Sequence, residues 1–351
     1  MANVTYTVPN KSGSYDGDMV VKQYTSMIID AGDTVTTDQP CRGLLILVQG
    51  NCTINGTLSM KARGAFANPT TGGGSDGNPV DSNGLRLPFL TSGGSSTLTA
   101  SGSLFNGCGN NALSVIANFK TISGNGDILQ VTRTGAGNTT PYGGSAGSRN
   151  KFNNGTSGTN HLGGGGEGSI GYGGGEGTGK SATCFSGGSA GGGRNNAGAT
   201  DTTGGNYGGQ GGLGRSGHTA RCTGGAGNPN GNETTNGSYG GATNSSNGES
   251  GTGGSIWLIV GGNLTIGASG LITVQGSRSD SINGNGYEWC STGGGSGGGS
   301  IKIAYKGTFT NNGTINVNGG LAGVPFNDGA GNYSSEGGNG GNGTYTALQV
   351  L

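Results

Sequence analysis

The sequence predicts an all-β protein in which short strand units stack as a β-solenoid, with long glycine-rich excursions between units and essentially no α-helix. Three observations support this prediction. Apolar segments recur with the same internal spacing, glycine supplies 87 of the 351 residues, and the glycine clusters fall between the apolar segments. Within each segment the corresponding apolar residues lie two positions apart, which is the period of a β-strand.

The repeat becomes visible when the segments 44–60, 256–274 and 301–317 are placed over one another. Each unit has a strand, a glycine turn, a short strand, a second turn and another short strand. A unit of this size cannot bury its apolar face alone, so we expect the copies to stack. The corresponding positions are Leu44, Ile256 and Ile301; Ile46, Leu258 and Ile303; Val48, Val260 and Tyr305; Gly50, Gly262 and Gly307; Cys52, Leu264 and Phe309; Leu58, Ile272 and Ile315; and Met60, Val274 and Val317.

Partial copies extend this pattern. A fourth copy begins at Tyr345, a weaker copy lies at 113–131, and 27–36 predicts one further pair of strands. We therefore divide the chain into an N-terminal segment with the first strands (1–43), first solenoid units with a glycine-rich insertion (44–136), a glycine-rich region (137–254) and C-terminal solenoid units (255–351).

The glycine-rich excursions leave each unit at the same corner, so stacking would bring them all to one side. Holding 87 glycines in order costs about 1–2 kcal/mol each. Hydrogen bonds between segments could offset that cost. A glycine segment can adopt a polyproline-II-like helix of three residues per turn, and without Cβ atoms such helices can pack side by side. We expect packed polyglycine II-type helices, above all in 137–254; a flexible linker is the alternative.

Residues that could perform chemistry are few. His161 and His218 have no partners at the spacing of a metal site or a catalytic triad. Glu167 and Glu176 form the best carboxylate pair for a glycosidase, but they fit the rims of two similar loops better. The sequence therefore predicts no catalytic residue, no bound metal and no cofactor, and the protein is expected not to be an enzyme.

The positions of the cysteines predict buried side chains that pack in the protein more than they predict reactive thiols. Cys52 corresponds to Leu264 and Phe309, so we expect it to be a small buried hydrophobic residue. Cys184 and Cys222 could form a disulfide after leaving the reducing cytoplasm. Free thiols are the alternative, and the sequence favours them slightly.

Aromatic residues in the glycine-rich loops are candidate contact residues, because binding surfaces are enriched in aromatic side chains. Trp289, beside Tyr287, either fills the gap between the glycine helices and the solenoid or anchors a receptor or a neighbouring subunit. The candidate contacts are Tyr207, Tyr239, Tyr287 and Trp289.

Charge and hydropathy limit the partners. The formal net charge is zero, whereas a nucleic-acid-binding protein would show a basic face. The sequence has no apolar run long enough to span a membrane. The N-terminus shows no basic segment followed by an apolar one, so we expect synthesis in a cytoplasm without secretion.

The glycine clusters of 137–254, separated by short polar or aromatic stretches, resemble the glycine-rich tip adhesins of tailed bacteriophage fibres. The strand units are similar to phage fibre and adhesin β-helices, of which the sequence GNLTIGASGLITVQG (262–276) is typical. This resemblance implies a rigid core of polyglycine helices and variable loops that bind a host cell-surface receptor, either protein or glycan. It also implies other virion proteins as partners, a surface-exposed place on the virion after assembly in the host cytoplasm, and a homo-oligomer such as the trimer common in fibres.

Other functions stay open at this point. A capsid or neck decoration would use the same rigidity to bind particle proteins alone. A secreted glycine-rich filament subunit is another alternative, and a polysaccharide depolymerase on a β-helix is a weaker one. The sequence favours a non-enzymatic fibre or adhesin component that presents loops for host attachment.

Overall fold

A computed structural model describes residues 2–11, 13–15, 17, 19–65, 157–158, 177, 179–180, 186–195, 215–216, 221–228, 231, 250–282, 289–324 and 333–349. These residues are all-β and contain no α-helix, as predicted. The strands are β1 (Val4–Tyr6), β2 (Val20–Tyr24), β3 (Met27–Ile29), β4 (Thr34–Thr37), β5 (Leu44–Val48), β6 (Cys52–Ile54), β7 (Thr57–Ser59), β8 (Arg194–Asn195), β9 (Arg215–Ser216), β10 (Arg221–Cys222), β11 (Ser255–Val260), β12 (Leu264–Ile266), β13 (Leu271–Thr273), β14 (Trp289–Ser291), β15 (Ser300–Tyr305), β16 (Phe309–Asn311), β17 (Thr314–Asn316), β18 (Tyr333–Ser335) and β19 (Thr344–Gln349).

Most strands belong to three parallel sheets. Sheet I has the order β19-β15-β11-β5-β2, sheet II has β16-β12-β6-β3, and sheet III has β1-β4-β7-β13-β17. The chain takes one strand from each sheet in turn, which gives the complete units β2–β4, β5–β7, β11–β13 and β15–β17. Every pairing between adjacent strands of these sheets is parallel.

The register between units is the one that the sequence comparison predicts. Ile256 pairs with both Leu44 and Ile301 in sheet I. Leu264 pairs with Cys52 and Phe309 in sheet II, and Ile272 pairs with Leu58 and Ile315 in sheet III.

The partial copies have different outcomes. The strand pair expected at 27–36 is present as β3 and β4. The fourth copy is present as β19, because Tyr345 pairs with Ile301. The weaker copy at 113–131 lies outside the described residues. The sequence comparison missed β1 and β2, which add one strand to sheet III and one to sheet I.

The apolar core lies between the three sheets. Alternate residues of the strands point into it, and burial of each large apolar side chain contributes about 1.5–3 kcal/mol. Cys52 is among these buried residues, as expected. The fully enclosed members include Met27, Ile29, Leu44, Ile46, Ile54, Leu58, Met60, Ile256, Leu258, Ile272 and Ile301.

The central strands of sheet I, β5 and β11, are buried on their outer face as well. Leu45 and Leu47 on β5, and Trp257 and Ile259 on β11, alternate with the core residues and are also buried. The indole N–H of Trp257 donates to Ser255 Oγ at 3.0 Å. Continuous apolar runs such as those of β5 and β11 are typical of parallel strands that are covered on both faces.

Candidate functional site

Within the described residues, two glycine-rich excursions lead away from sheet III and return to sheet I. In the first glycine hairpin, 274–282 follows β13 and 291–299 leads into β15. Its legs are antiparallel, because Ser296 N donates to Ser277 O at 3.1 Å and Gly299 N donates to Val274 O at 2.8 Å.

The second glycine hairpin has the same construction. Residues 317–324 follow β17, and 336–343 lead into β19. Gly340 N donates to Gly320 O at 2.8 Å, and Gly343 N donates to Val317 O at 2.7 Å. The excursions of successive units thus form equivalent hairpins on one side of the sheets.

In the return leg of the first hairpin, the amides of residues 294–299 donate hydrogen bonds to three neighbours in strict rotation. Every third amide donates to the same neighbouring segment, over distances of 2.8–3.1 Å. A period of three is expected for a helix of three residues per turn and does not occur in a β-strand. The donor–acceptor pairs are Gly294–Gly191 and Gly297–Gly188; Gly295–Gly338 and Gly298–Gly341; and Ser296–Ser277 and Gly299–Val274.

The carbonyl groups of the same leg also accept hydrogen bonds at a spacing of three residues. Ala226 N donates to Gly294 O at 3.0 Å, and Gly253 N donates to Gly297 O at 3.0 Å. On another side, Gly320 N donates to Ser296 O and Gly323 N donates to Gly293 O, again three residues apart along this leg. Segment 291–299 is therefore the centre of a layer, the glycine layer, built from 186–193, 222–228, 250–254 and the two hairpins.

Glycine is required here because backbones touch one another. A Cβ added to Gly187 would lie 1.8 Å from the carbonyl oxygen of Gly297, and a Cβ on Gly299 would lie 1.8 Å from that of Gly254. These distances are far below any normal contact between a carbon and an oxygen atom. The glycine cluster 187–193 of the predicted region 137–254 is thus closely packed, whereas most of 163–177, 204–214 and 237–242 lies outside the described residues.

The non-glycine residues inside the layer are mainly small and hydroxylic. The buried hydroxyls of Ser277 and Ser296 both bond to Gly251 O. Ser279 Oγ donates to Gly224 O and Thr292 Oγ1 donates to Gly323 O, each at 2.7 Å. These hydroxyls satisfy buried carbonyl groups, which would otherwise destabilise the layer, so their arrangement indicates a structural role.

A small parallel sheet of β10, β14 and β18 lies at the other end of the hairpins from sheet I. Strands β14 and β18 each lead directly into a return leg of a hairpin. With a rise of about 3.1 Å per residue, segment 291–299 would span about 28 Å. The connections 283–288 and 325–332 are therefore attached at the end of the glycine layer that is remote from the three larger sheets.

Of the predicted contact residues, only Trp289 has a described backbone position. It is the first residue of β14 and pairs in register with Tyr333 of β18. Tyr207, Tyr239 and Tyr287 lie outside the described residues. The pairing of Trp289 with Tyr333 was not predicted, although both strands contain an aromatic residue two positions before a serine.

The shifted pKa values of Cys52 and Lys180 have burial as their cause. Burial raises the pKa of the Cys52 thiol to about 12, and burial lowers the pKa of Lys180. Cys222 is fully buried in the glycine layer. Cys184 lies outside the described residues, so the choice between free thiols, which the sequence slightly favours, and a disulfide is not tested.

His161, His218, Glu167 and Glu176 also lie outside the described residues. In the described part of the chain, no group of three or more histidine, cysteine, aspartate or glutamate side chains could hold a metal ion. The same part contains no helix that is long and apolar enough to cross a membrane.

No protein-family model, curated protein or solved structure matches this chain significantly. Its function must therefore be inferred from its own geometry. The relevant features are the three sheets, the glycine layer and the loop connections at the remote end of that layer.

Proposed function

We propose that this chain is a non-enzymatic structural protein of a virion, a fibre or adhesin component that presents loops for attachment to a host surface. In this proposal the three larger sheets form a β-solenoid. The glycine segments form polyglycine II-type helices packed beside it, and the loops at their remote ends contact the receptor, either protein or glycan. Other virion proteins would hold the chain on the particle.

The solenoid is supported by the way in which the units repeat. Each complete unit contributes one strand to each of sheets I, II and III. Corresponding residues of successive units pair in register, and their side chains share one core. A chain that winds once through three parallel sheets per unit has the architecture of a β-solenoid.

The observation that best supports polyglycine II-type packing is the hydrogen bonding of residues 294–299. Its amides donate in rotation to three neighbouring segments, with each neighbour contacted at every third residue. Side chains would prevent this approach, as the 1.8 Å distance from a Cβ on Gly299 to Gly254 O indicates. Helices of three residues per turn with no Cβ atoms satisfy both observations.

This construction suits attachment better than catalysis. The layer fixes the ends of 283–288 and 325–332 through β14 and β18, so these loops could vary in sequence while the layer stays unchanged. Fixing the ends of a binding loop reduces the entropy lost on binding. Loops held in this way would serve as a receptor-binding surface.

Immunogold labelling of intact particles with antibodies raised against the purified chain tests the proposed location. Label at the ends of tails or fibres would support a fibre or adhesin component. Label distributed over capsids or necks would identify a decoration protein instead, and label along cell-surface filaments would identify a filament subunit.

Binding of the purified, fluorescently labelled chain to cells of the bacterium in which the particles grow tests the loops directly. We expect wild-type protein to bind, and replacement of 283–288 by a glycine–serine sequence of equal length to abolish binding without lowering the melting temperature. The matched control is Leu321→Ala, which alters an exposed side chain on the glycine layer itself. Equal binding by the loop variant and wild type would refute a receptor contact in this loop.

A further inference from the structure

Three short strands that begin with an arginine lie at the remote end of the glycine layer. Strand β8 directly continues the glycine segment that ends at Gly193, and Gly193 N donates to Thr223 O at 2.9 Å. Thr223 directly follows β10, and its own N–H donates to Ser291 O of β14 at 3.1 Å. These strands therefore lie at the end of the layer to which the connections 283–288 and 325–332 are attached. The first residues of β8, β9 and β10 are Arg194, Arg215 and Arg221.

The backbone places the three arginines close to one another. Arg194 pairs with Arg215 in parallel register, and neighbouring strands lie about 4.8 Å apart. Cα atoms of β10, the strand that begins with Arg221, lie within 8 Å of Cα atoms of both β8 and β9. Three positively charged residues from separate parts of the sequence are thus brought into one small region.

The strand pairing does not neutralise this charge. The partner of Arg194 is Arg215, and the partner of Arg221 is the uncharged Cys290. Like charges at directly paired positions of a sheet repel each other and destabilise it. Because a guanidinium group stays protonated in proteins, loss of a proton cannot relieve the repulsion. A bound anion would replace the repulsion with attraction.

The surrounding sequence has the same sign of charge. Segment 178–232 contains four basic residues and one acidic residue, a formal net charge of +3, whereas the whole chain has a formal net charge of zero. The acidic residues of this end belong to other segments. Asp280 is buried in the first hairpin, Glu288 and Asp328 belong to the two loop connections, and Glu336 follows β18. Strands β8, β9 and β10 therefore carry the basic residues of this end.

We propose that Arg194, Arg215 and Arg221 form an anion-binding site for the phosphate or carboxylate groups of an anionic polysaccharide on the host surface. The anion site rests on the strand register, and its use in attachment rests on the function proposed above. Guanidinium groups bind phosphate and carboxylate through two parallel N–H···O hydrogen bonds. An arginine cluster therefore recognises the anionic groups of a polysaccharide, and the adjacent loops add contacts to its sugar rings.

A polysaccharide fits this end better than a nucleic acid does. Proteins that bind single-stranded nucleic acid use a basic groove that follows the backbone over several nucleotides. Here the arginines occupy only three short strands, and acidic residues belong to the neighbouring loop connections. A local cluster of this kind suits separate anionic groups on a mostly neutral polymer.

Biolayer interferometry of the purified full-length chain on immobilised dextrans tests the anion site. We expect binding to phosphorylated dextran or to carboxymethyl dextran, and none to neutral dextran. The tighter of the two anionic ligands identifies phosphate or carboxylate as the preferred group. Absence of binding to both, equal binding to neutral dextran, or tighter binding to a single-stranded DNA oligonucleotide would overturn the proposal.

Substitutions locate the site. Arg215→Gln and Arg194→Gln should each weaken binding to the anionic dextran by about tenfold or more. Without ligand, the melting temperature of Arg215→Gln should equal or exceed that of wild type, because a like-charge repulsion is removed. The matched control is Lys306→Gln, which removes the same charge from an exposed residue that follows β15; it should change the affinity by less than about twofold, since distant surface charges are screened by salt. Equal losses in Lys306→Gln and Arg215→Gln would overturn the proposed site.

Binding to host cells separates failure of this site from failure of the proposed function. Weaker cell binding by Arg215→Gln than by wild type and Lys306→Gln would support an anionic polysaccharide as the receptor. Equal cell binding by Arg215→Gln and wild type would overturn the role of the arginines in attachment and leave the adhesin function standing. Wild type that binds anionic dextran but no host cells would refute attachment itself, and the anion site would stand alone.

Discussion

The side-chain oxygen Oδ1 of Asn51 accepts a hydrogen bond of 2.9 Å from the backbone N–H of Asn263, which lies 212 residues further along the chain. Asn263 repeats the contact in the next unit, where its Oδ1 accepts a hydrogen bond of 2.8 Å from Thr308 N. A Cβ on the corner glycine Gly262 would lie only 2.5 Å from Asn51 Oδ1. These asparagines therefore link successive units at a corner where glycine permits close approach.

Replacing Asn263 by alanine should lower the free energy of unfolding by about 1 kcal/mol. The backbone N–H of Thr308 loses its acceptor, and water can replace it only in part. Urea denaturation followed by circular dichroism measures the difference. The control is Asn312→Ala at another exposed turn, where the side chain makes no hydrogen bond with the described residues; equal losses in the two variants would contradict a special role for the Asn263 contact.

Replacing Gly299 by alanine should destabilise the protein by at least about 3 kcal/mol or prevent folding. The new Cβ would lie 1.8 Å from Gly254 O, and neither backbone can move without breaking hydrogen bonds to further segments. Urea denaturation and the yield of soluble protein measure the effect.

Leu321→Ala is the control for this substitution, since Leu321 is 55% exposed on the same layer. We expect a change within about 0.5 kcal/mol for an exposed side chain of this kind. A Gly299→Ala protein that is as stable as Leu321→Ala would show that the backbones do not need to approach so closely.

The sequence predicted the units and their register because glycine turns hold the strands at nearly equal spacing. Leu44, Ile256 and Ile301 pair as the comparison indicated. Strands β1 and β2 were missed for physical reasons. Strand β1 is only Val4–Tyr6, and β2 carries Lys22 at a core-facing position, which interrupts the apolar pattern.

The arrangement of the glycine layer was harder to predict. Glycine clusters are nearly identical, so composition gives no information about which segments become neighbours. The buried hydroxyls contain part of that information, because Ser279 and Thr292 each bond to a carbonyl group of another segment. The candidate contacts Tyr207, Tyr239 and Tyr287 remain sequence predictions, and the position of Trp289 depends on tertiary pairing of a very short strand.

The buried Cys52 thiol should make stability decrease above about pH 9. Burial raises its pKa from an ordinary value of 9.0 to about 12, so the folded chain retains a proton that the unfolded chain loses. The stability that the protonated Cys52 thiol contributes to the folded chain is complete below pH 9. It is lost as the pH rises towards 12, by about 1.4 kcal/mol per pH unit. Between about pH 8 and about pH 10.5, wild type should lose about 2 kcal/mol more than Cys52→Ala in urea denaturation. Parallel losses in the two proteins would mean that Cys52 does not cause the pH dependence.

Ser277 and Ser296 should contribute unequally to the glycine layer, although both hydroxyls bond to Gly251 O. Ser296 Oγ also accepts a hydrogen bond of 2.7 Å from Ser277 N. Ser296→Ala therefore leaves a buried N–H without this acceptor and should cost about 1–3 kcal/mol. Ser277→Ala should cost less, because Ser296 still satisfies Gly251 O. The double variant should lose more than the sum of the single losses, by at least about 0.5 kcal/mol, because only then does Gly251 O lose both donors. Ser279→Ala removes a hydrogen bond to a different acceptor, Gly224 O, so its loss of stability should add to that of Ser296→Ala. Urea denaturation measures all of these losses. Additive losses for Ser277→Ala and Ser296→Ala, with coupled losses for Ser279→Ala and Ser296→Ala, would rule out a shared carbonyl acceptor.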